Sequence, residues 1–128
     1  MFTSDPPWLP LYLCELSEPY AAKYHVAGVA RSNRGFLTAY KVASGEPAML
    51  KFDPHSGKHW TEVRRLYVNR NFGAIQKNRE KLWRKNENGL WEPSRRHLAL
   101  VMWAFSPHPQ RFAQWVQRIA AQSARRRR

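Results

Sequence analysis

"YHVAGVARSNRGFLTAYKVASGEPAMLKF", residues 24–52, decides how the first half of this chain reads. Three short apolar runs, 24–30, 36–43 and 48–52, are separated by "RSNRG" and "SGEP", and "DPHSGK" (53–58) follows the third. Gly, Asn, Ser and Pro in those positions set turns, and short apolar runs between turns suit strands. The stretch predicts a three-stranded antiparallel meander. With helices further on, the expected fold class is α+β: an N-terminal arm and a small antiparallel sheet, then three or four helices.

Upstream, Pro6, Pro7, Pro10 and Pro19 punctuate residues 1–23. Prolines at that density disfavour a helix and suit an extended arm. Trp8, Leu9, Leu11, Tyr12 and Leu13 make the arm apolar. Strapping over the core accounts for that, and docking of a protein partner is the other use.

Downstream, the rhythm changes at residue 60. "HWTEVRRLYVNR" (59–70) fits a helix face through Trp60, Val63 and Tyr67, or a strand through "RRLYV". "NFG" (71–73) reads as a break. "GAIQKNREKLWRKNENG" (73–89) then reads as a helix stopped by Asn88-Gly89. "EPSRRHLALVMWAF" (92–105) starts another, with Ser94 as N-cap and a run from Leu98 to Phe105 apolar on every side, hence buried. "SPHP" breaks it, "QRFAQWVQRIAAQSA" (110–124) makes the last helix, and residues 125–128 read as a disordered arginine tail. The expected organisation is one domain over 1–124, comprising the arm (1–23), the meander (24–59) and a basic helical part (60–124).

Charge points to function. The formal net charge is +13 over 128 residues. Residues 1–60 contribute +1, from six Lys/Arg and five Asp/Glu, and residues 61–128 contribute +12, from sixteen and four. A polyanionic partner is the usual physical reason for such a field. On a helical wheel of residues 72–86, Phe72, Ile75, Leu82 and Trp83 share a sector of roughly 100°, the width of a core-facing stripe. Trp83 is therefore expected as a core anchor. Lys77, Lys81, Arg84 and Lys85 fall opposite, a stripe that phosphates would fit, with Arg95 and Arg96 at the start of the next helix. On the last helix Phe112, Trp115, Val116 and Ile119 share one side, and Arg111, Gln114, Arg118, Gln122 and Arg125 share another. Arginine forks onto guanine, glutamine onto adenine, and both bind phosphate. A buried helix, a short break and an amphipathic helix with an Arg/Gln face outline a possible helix-turn-helix.

Enzymatic readings are weaker. Asp53, His55, His59 and Glu62 are metal-ligand types, yet Pro54 and Gly57 make their stretch a turn. His59, Arg64, Arg65 and Tyr67 are the residue types of a metal-free ribonuclease. No phosphate-binding loop, GxGxxG fingerprint, zinc-finger spacing or RNA-recognition signature occurs. The single cysteine, Cys14, fits a reducing compartment, the N-terminus lacks the basic start of a signal peptide, and no apolar run approaches ~18 residues. The expectation is a cytoplasmic, non-catalytic nucleic-acid-binding protein, DNA preferred over RNA, with no cofactor, no metal and no membrane partner. The alternatives are a small basic protein that inhibits or assists a nucleic-acid-processing complex, and a small nuclease.

Overall fold

The computed structural model describes residues 2–126. An extended stretch leads into α1 (Leu11–Lys23), α2 (Gly28–Arg31), α3 (Phe36–Val42), a 3-10 turn at Pro47–Met49 and α4 (Trp60–Asn78). A hairpin of β1 (Trp83–Lys85) and β2 (Trp91–Pro93) follows, then α5 (Arg95–Val101) and α6 (Pro109–Arg126). The fold class is α+β, with helices around one small antiparallel sheet.

The sheet does not lie where the sequence places it. Residues 24–52 form α2, α3 and the 3-10 turn instead of a meander. Side-chain period is the reason. Phe36, Leu37, Tyr40 and Ala43 are buried, at i, i+1, i+4 and i+7, while Val42 is 82% exposed. A strand burying Phe36 and Tyr40 would have to bury Val42 as well. Gly35 permits the compact geometry, since a Cβ there would sit 2.1 Å from the Val29 carbonyl oxygen.

The prolines of the first segment do not prevent a helix either. Pro10 stands at the N-cap of α1, where a missing N–H leaves no helical bond unmade, and Pro19 lies on the exposed side. Leu13, Cys14, Ser17 and Ala21 face inward. Only residues 2–10 form the arm, and it is strapped down. The Leu9 N–H donates to the Ala104 carbonyl at 2.8 Å, and the Tyr40 hydroxyl to the Leu9 carbonyl at 2.8 Å.

The expected helix over 73–86 is a third correction. α4 begins earlier, capped by the His59 side chain accepting from the Thr61 N–H, and runs through "NFG" without a break. Phe72 is held there by Phe2 and Phe105, with ring centroids 6.3 and 5.8 Å away. Arg79 turns left-handed at φ 52°, and the Glu80 N–H closes back on the Ile75 carbonyl at 3.0 Å. Trp83 then enters β1, paired as Trp83↔Pro93, Arg84↔Glu92 and Lys85↔Trp91. Asn88-Gly89 is the hairpin turn and not a helix stop. The Asn86 side-chain oxygen accepts from the Asn88 and Leu90 N–H groups, and Gly89 supplies φ +75°.

Ser94 caps α5 as expected, accepting from the His97 N–H at 3.2 Å. Leu98 and Leu100–Phe105 are buried, also as expected, although the helix itself ends at Val101. The helix-turn-helix is not confirmed. Seven residues, 102–108, separate α5 from α6, against the three or four of that motif. α5 packs chiefly on α1 and α4. Arg125 and Arg126 continue α6 where a disordered tail was expected, and Arg127 and Arg128 lie outside the described residues.

One buried cation ties the interior together. The Arg64 guanidinium is fully buried and meets no carboxylate among the described residues. Its Nε donates to the Trp103 carbonyl at 2.7 Å, Nη1 to Pro6 at 2.8 Å, and Nη2 to Pro7 at 2.6 Å and Ala104 at 2.8 Å. Its Cζ lies over the Trp8 ring, 3.7 Å from the centroid. Burial lowers its pKa to about 10, with Asp5 opposing, so it stays charged near neutrality. Around it Phe36 stacks on Trp103 at 5.0 Å and meets Trp60 edge-on at 6.0 Å.

Candidate nucleic-acid interface

α6 carries the clearest two-faced pattern. Phe112, Trp115 and Val116 are buried, with Trp115 edge-on to Tyr20 at 5.0 Å and Phe112 against His97 at 5.4 Å. This face seats the helix on α1 and α5. Arg111, Gln114, Arg118, Gln122 and Arg125 are all exposed, on a sector of the helix that adjoins the apolar one. Residues 93–128 contain eight arginines, no lysine and no acidic residue. Arginine's planar fork suits phosphate and base edges better than the compact ammonium of lysine does.

The residues expected on one helical stripe are distributed differently. Lys77 is exposed on the last turn of α4, and Lys81 is exposed in the link to β1. Lys85 and Arg84 project from opposite faces of β1, because side chains alternate along a strand. Ser94 donates its N–H to the Leu82 carbonyl at 2.9 Å, so exposed Arg95 comes to lie one residue beyond the bond from Lys81.

Two of the expected phosphate contacts are already occupied. Arg84 pairs with the buried Glu92 at 2.9 Å and lies 4.3 Å from the Tyr24 ring centroid. Tyr24 donates its hydroxyl to the same carboxylate at 2.7 Å. Arg96 pairs with Glu80 at 3.2 Å and donates to Asn71 at 2.7 Å. Among the described residues, Lys77, Lys81, Lys85, Arg95, Arg118 and Arg125 make no ion pair.

The wheel missed a row of aromatic rings under cations. Trp83 is buried as expected, but on a strand. Its indole N–H donates to His108 Nδ1 at 3.0 Å, and the Arg111 guanidinium covers its ring at 4.2 Å. Two residues along the same face of the hairpin, Trp91 is 49% exposed with the Lys85 ammonium 5.4 Å from its centroid. The first turn of α6 and the hairpin therefore share one surface. The "NENG" turn signal between two tryptophans was the clue.

The enzymatic candidates do not converge. The Asp53 carboxylate accepts from the His55 N–H at 3.0 Å and the Ser56 hydroxyl at 2.8 Å, closing the expected turn. Burial raises its pKa, but these donors outweigh burial and the net direction is down. Among the described residues no three His, Cys, Asp or Glu side chains are grouped to hold a metal. Arg64 is sealed in the core, with its donors taken by backbone carbonyls. Burial pushes the Cys14 thiol up to about 12, so it carries no thiolate at neutral pH. No helix among the described residues is long and apolar enough to cross a membrane.

No protein-family model matches the chain, and neither do any curated proteins or solved structures.

Proposed function

We propose that this is a non-catalytic nucleic-acid-binding protein that grips duplex DNA in preference to RNA. The observation that carries the reading is the outer face of α6: Arg111, Gln114, Arg118, Gln122 and Arg125 exposed in register on a segment without acids. Lys77, Lys81, Lys85 and Arg95 extend the positive surface, where they meet phosphates. Arg84 and Arg96, held by Glu92 and Glu80, act chiefly as internal braces.

Counterion release makes such binding steep in salt. If about five to eight phosphates are neutralised, log K against log salt has a slope near −4 to −7. Lys81→Ala should weaken all duplexes alike and flatten that slope by about one unit. Gln114→Ala or Arg118→Ala should cost about 1–3 kcal/mol on a preferred site and much less on a random one. Titrations across salt, on a duplex selected from random DNA and on an unselected one, measure both. A flat salt response sinks the proposal, and equal losses on the two duplexes remove base reading by α6.

A second reading has one observation in its favour. Tyr12 and Leu16 are exposed on α1, an apolar pair beside the N-terminal arm. In that reading they dock a protein of a nucleic-acid-processing complex. Co-purification separates the two: nucleic acid retained at low salt supports direct binding, and a protein retained through high salt supports docking.

A further inference from the structure

We infer that Trp91 and Lys85 form a stacking platform for one unpaired nucleobase, so that the protein prefers duplexes interrupted by a gap or flap. The inference rests on the nucleic-acid reading above. It concerns the hairpin, which that reading uses only for charge.

Four observations converge. Trp91 is 49% exposed and Leu90 is 56% exposed, both beyond the turn of a hairpin whose base is buried at Trp83, Glu92 and Pro93. Most tryptophans of this chain are wanted inside, as Trp60, Trp83, Trp103 and Trp115 show. The hairpin tip is built to hold its shape. Asn86 binds the Asn88 and Leu90 N–H groups through its side chain, and its own N–H donates to the Leu90 carbonyl at 2.8 Å. The Lys85 ammonium lies over one face of the Trp91 ring, 5.4 Å from its centroid, which leaves the other face for a base and keeps a cation close to the phosphate of that base.

The neighbourhood supplies the fourth. The platform continues on its own face into Trp83, capped by Arg111 at the start of α6. The α6 surface and the indole are thus joined through two cation–ring contacts. Acidic groups are few here. Glu92 is consumed by Arg84 and Tyr24, and Glu87 in the turn is the one carboxylate free of an ion pair among the described hairpin residues. A base has an apolar face and an anionic backbone, which is the pair of properties this patch complements. Stacking onto an indole needs an unstacked base, and a continuous duplex offers none without being opened.

The test compares wild type, Trp91→Ala and Trp91→Phe on a blunt duplex and on the same duplex with a one-nucleotide flap. Affinities are read by fluorescence anisotropy at fixed salt. Wild type should bind the flap duplex more tightly than the blunt one. Trp91→Ala should lose roughly 10- to 100-fold on the flap duplex and under threefold on the blunt one. Trp91→Phe should recover most of that loss, since a phenyl ring still stacks. Equal losses on both duplexes, or no loss on either, would overturn the platform while leaving the α6 interface standing. If wild type binds neither duplex at low salt, the nucleic-acid reading fails and the platform fails with it. Circular dichroism and melting of the variants guard against misfolding, because Trp91 is half exposed and its replacement should leave both unchanged.

Discussion

Replacing Arg64 with alanine should lower the free energy of unfolding by about 4 kcal/mol and the melting temperature by roughly 15 °C. Three carbonyls, from Pro6, Pro7 and Trp103, would lose their donor inside the core, and that of Ala104 would keep only the Leu9 N–H. Each buried, unsatisfied acceptor costs about 1–3 kcal/mol, less what an entering water restores. Arg64→Lys should fall between, because an ammonium has three donors and no planar fork to span both chain segments. Urea unfolding of the three proteins measures this. A loss below 1 kcal/mol for the alanine variant would show that the guanidinium is a passenger.

The second large effect is a pH dependence. His97 is fully buried, with Nδ1 at 3.0 Å from the Leu82 carbonyl and Nε2 at 2.7 Å from the Ser106 hydroxyl. The carbonyl can only accept, so Nδ1 carries the proton and Nε2 accepts from Ser106. Burial lowers the His97 pKa to about 4, against the upward pull of the Leu82 carbonyl and helped by His108 and Arg111. The unfolded chain, near 6.5, therefore binds more protons than the folded one between those values. Stability from this group is complete above about pH 6.5 and is lost as pH falls toward 4. The loss amounts to about 2 kcal/mol by pH 5 and about 3 kcal/mol by pH 4. Subtracting the profile of His97→Gln from that of wild type removes the carboxylates, which titrate in both. A flat difference between pH 7 and 5 would contradict the assignment.

These two residues mark where reading the sequence stops. Arg64 sits among Arg65, Arg70 and other cations, and nothing in the spacing separates the buried one from its exposed neighbours. What buries it is a set of backbone carbonyls that come together only after folding. Trp83 is the anchor expected, though it is held by His97, His108 and Arg111 far along the chain, whereas Ser94 was legible as a cap because a cap depends on neighbours within a few residues. The same holds for the two faces of α6. Residues 36–43 were legible in principle, since Phe36, Leu37, Tyr40 and Ala43 already show helical spacing. Turn residues on both sides outweighed that signal. The hairpin was hidden by a helical wheel drawn through Arg79, where the backbone has already turned left-handed. The exposed Arg/Gln face could be read in advance, whereas the capture of Arg84 and Arg96 by Glu92 and Glu80 depends on pairing across elements.

Arg64 also sets an order of events in time. Its bonds reach back 57 and 58 residues and forward 39 and 40. Closing such loops carries an entropic cost that local pairs such as α2 with α3, or the hairpin, escape. The knot around Arg64 should accordingly form after the barrier to folding has been crossed. A chain emerging from synthesis cannot complete it until residue 104 is available, because the Trp103 and Ala104 carbonyls are two of its four acceptors. Late contacts govern how long the native state lasts and leave the speed of reaching it almost untouched. Arg64→Ala should thus leave the refolding rate within a few-fold of wild type and accelerate unfolding by about a thousandfold. In kinetic terms the arginine is a latch.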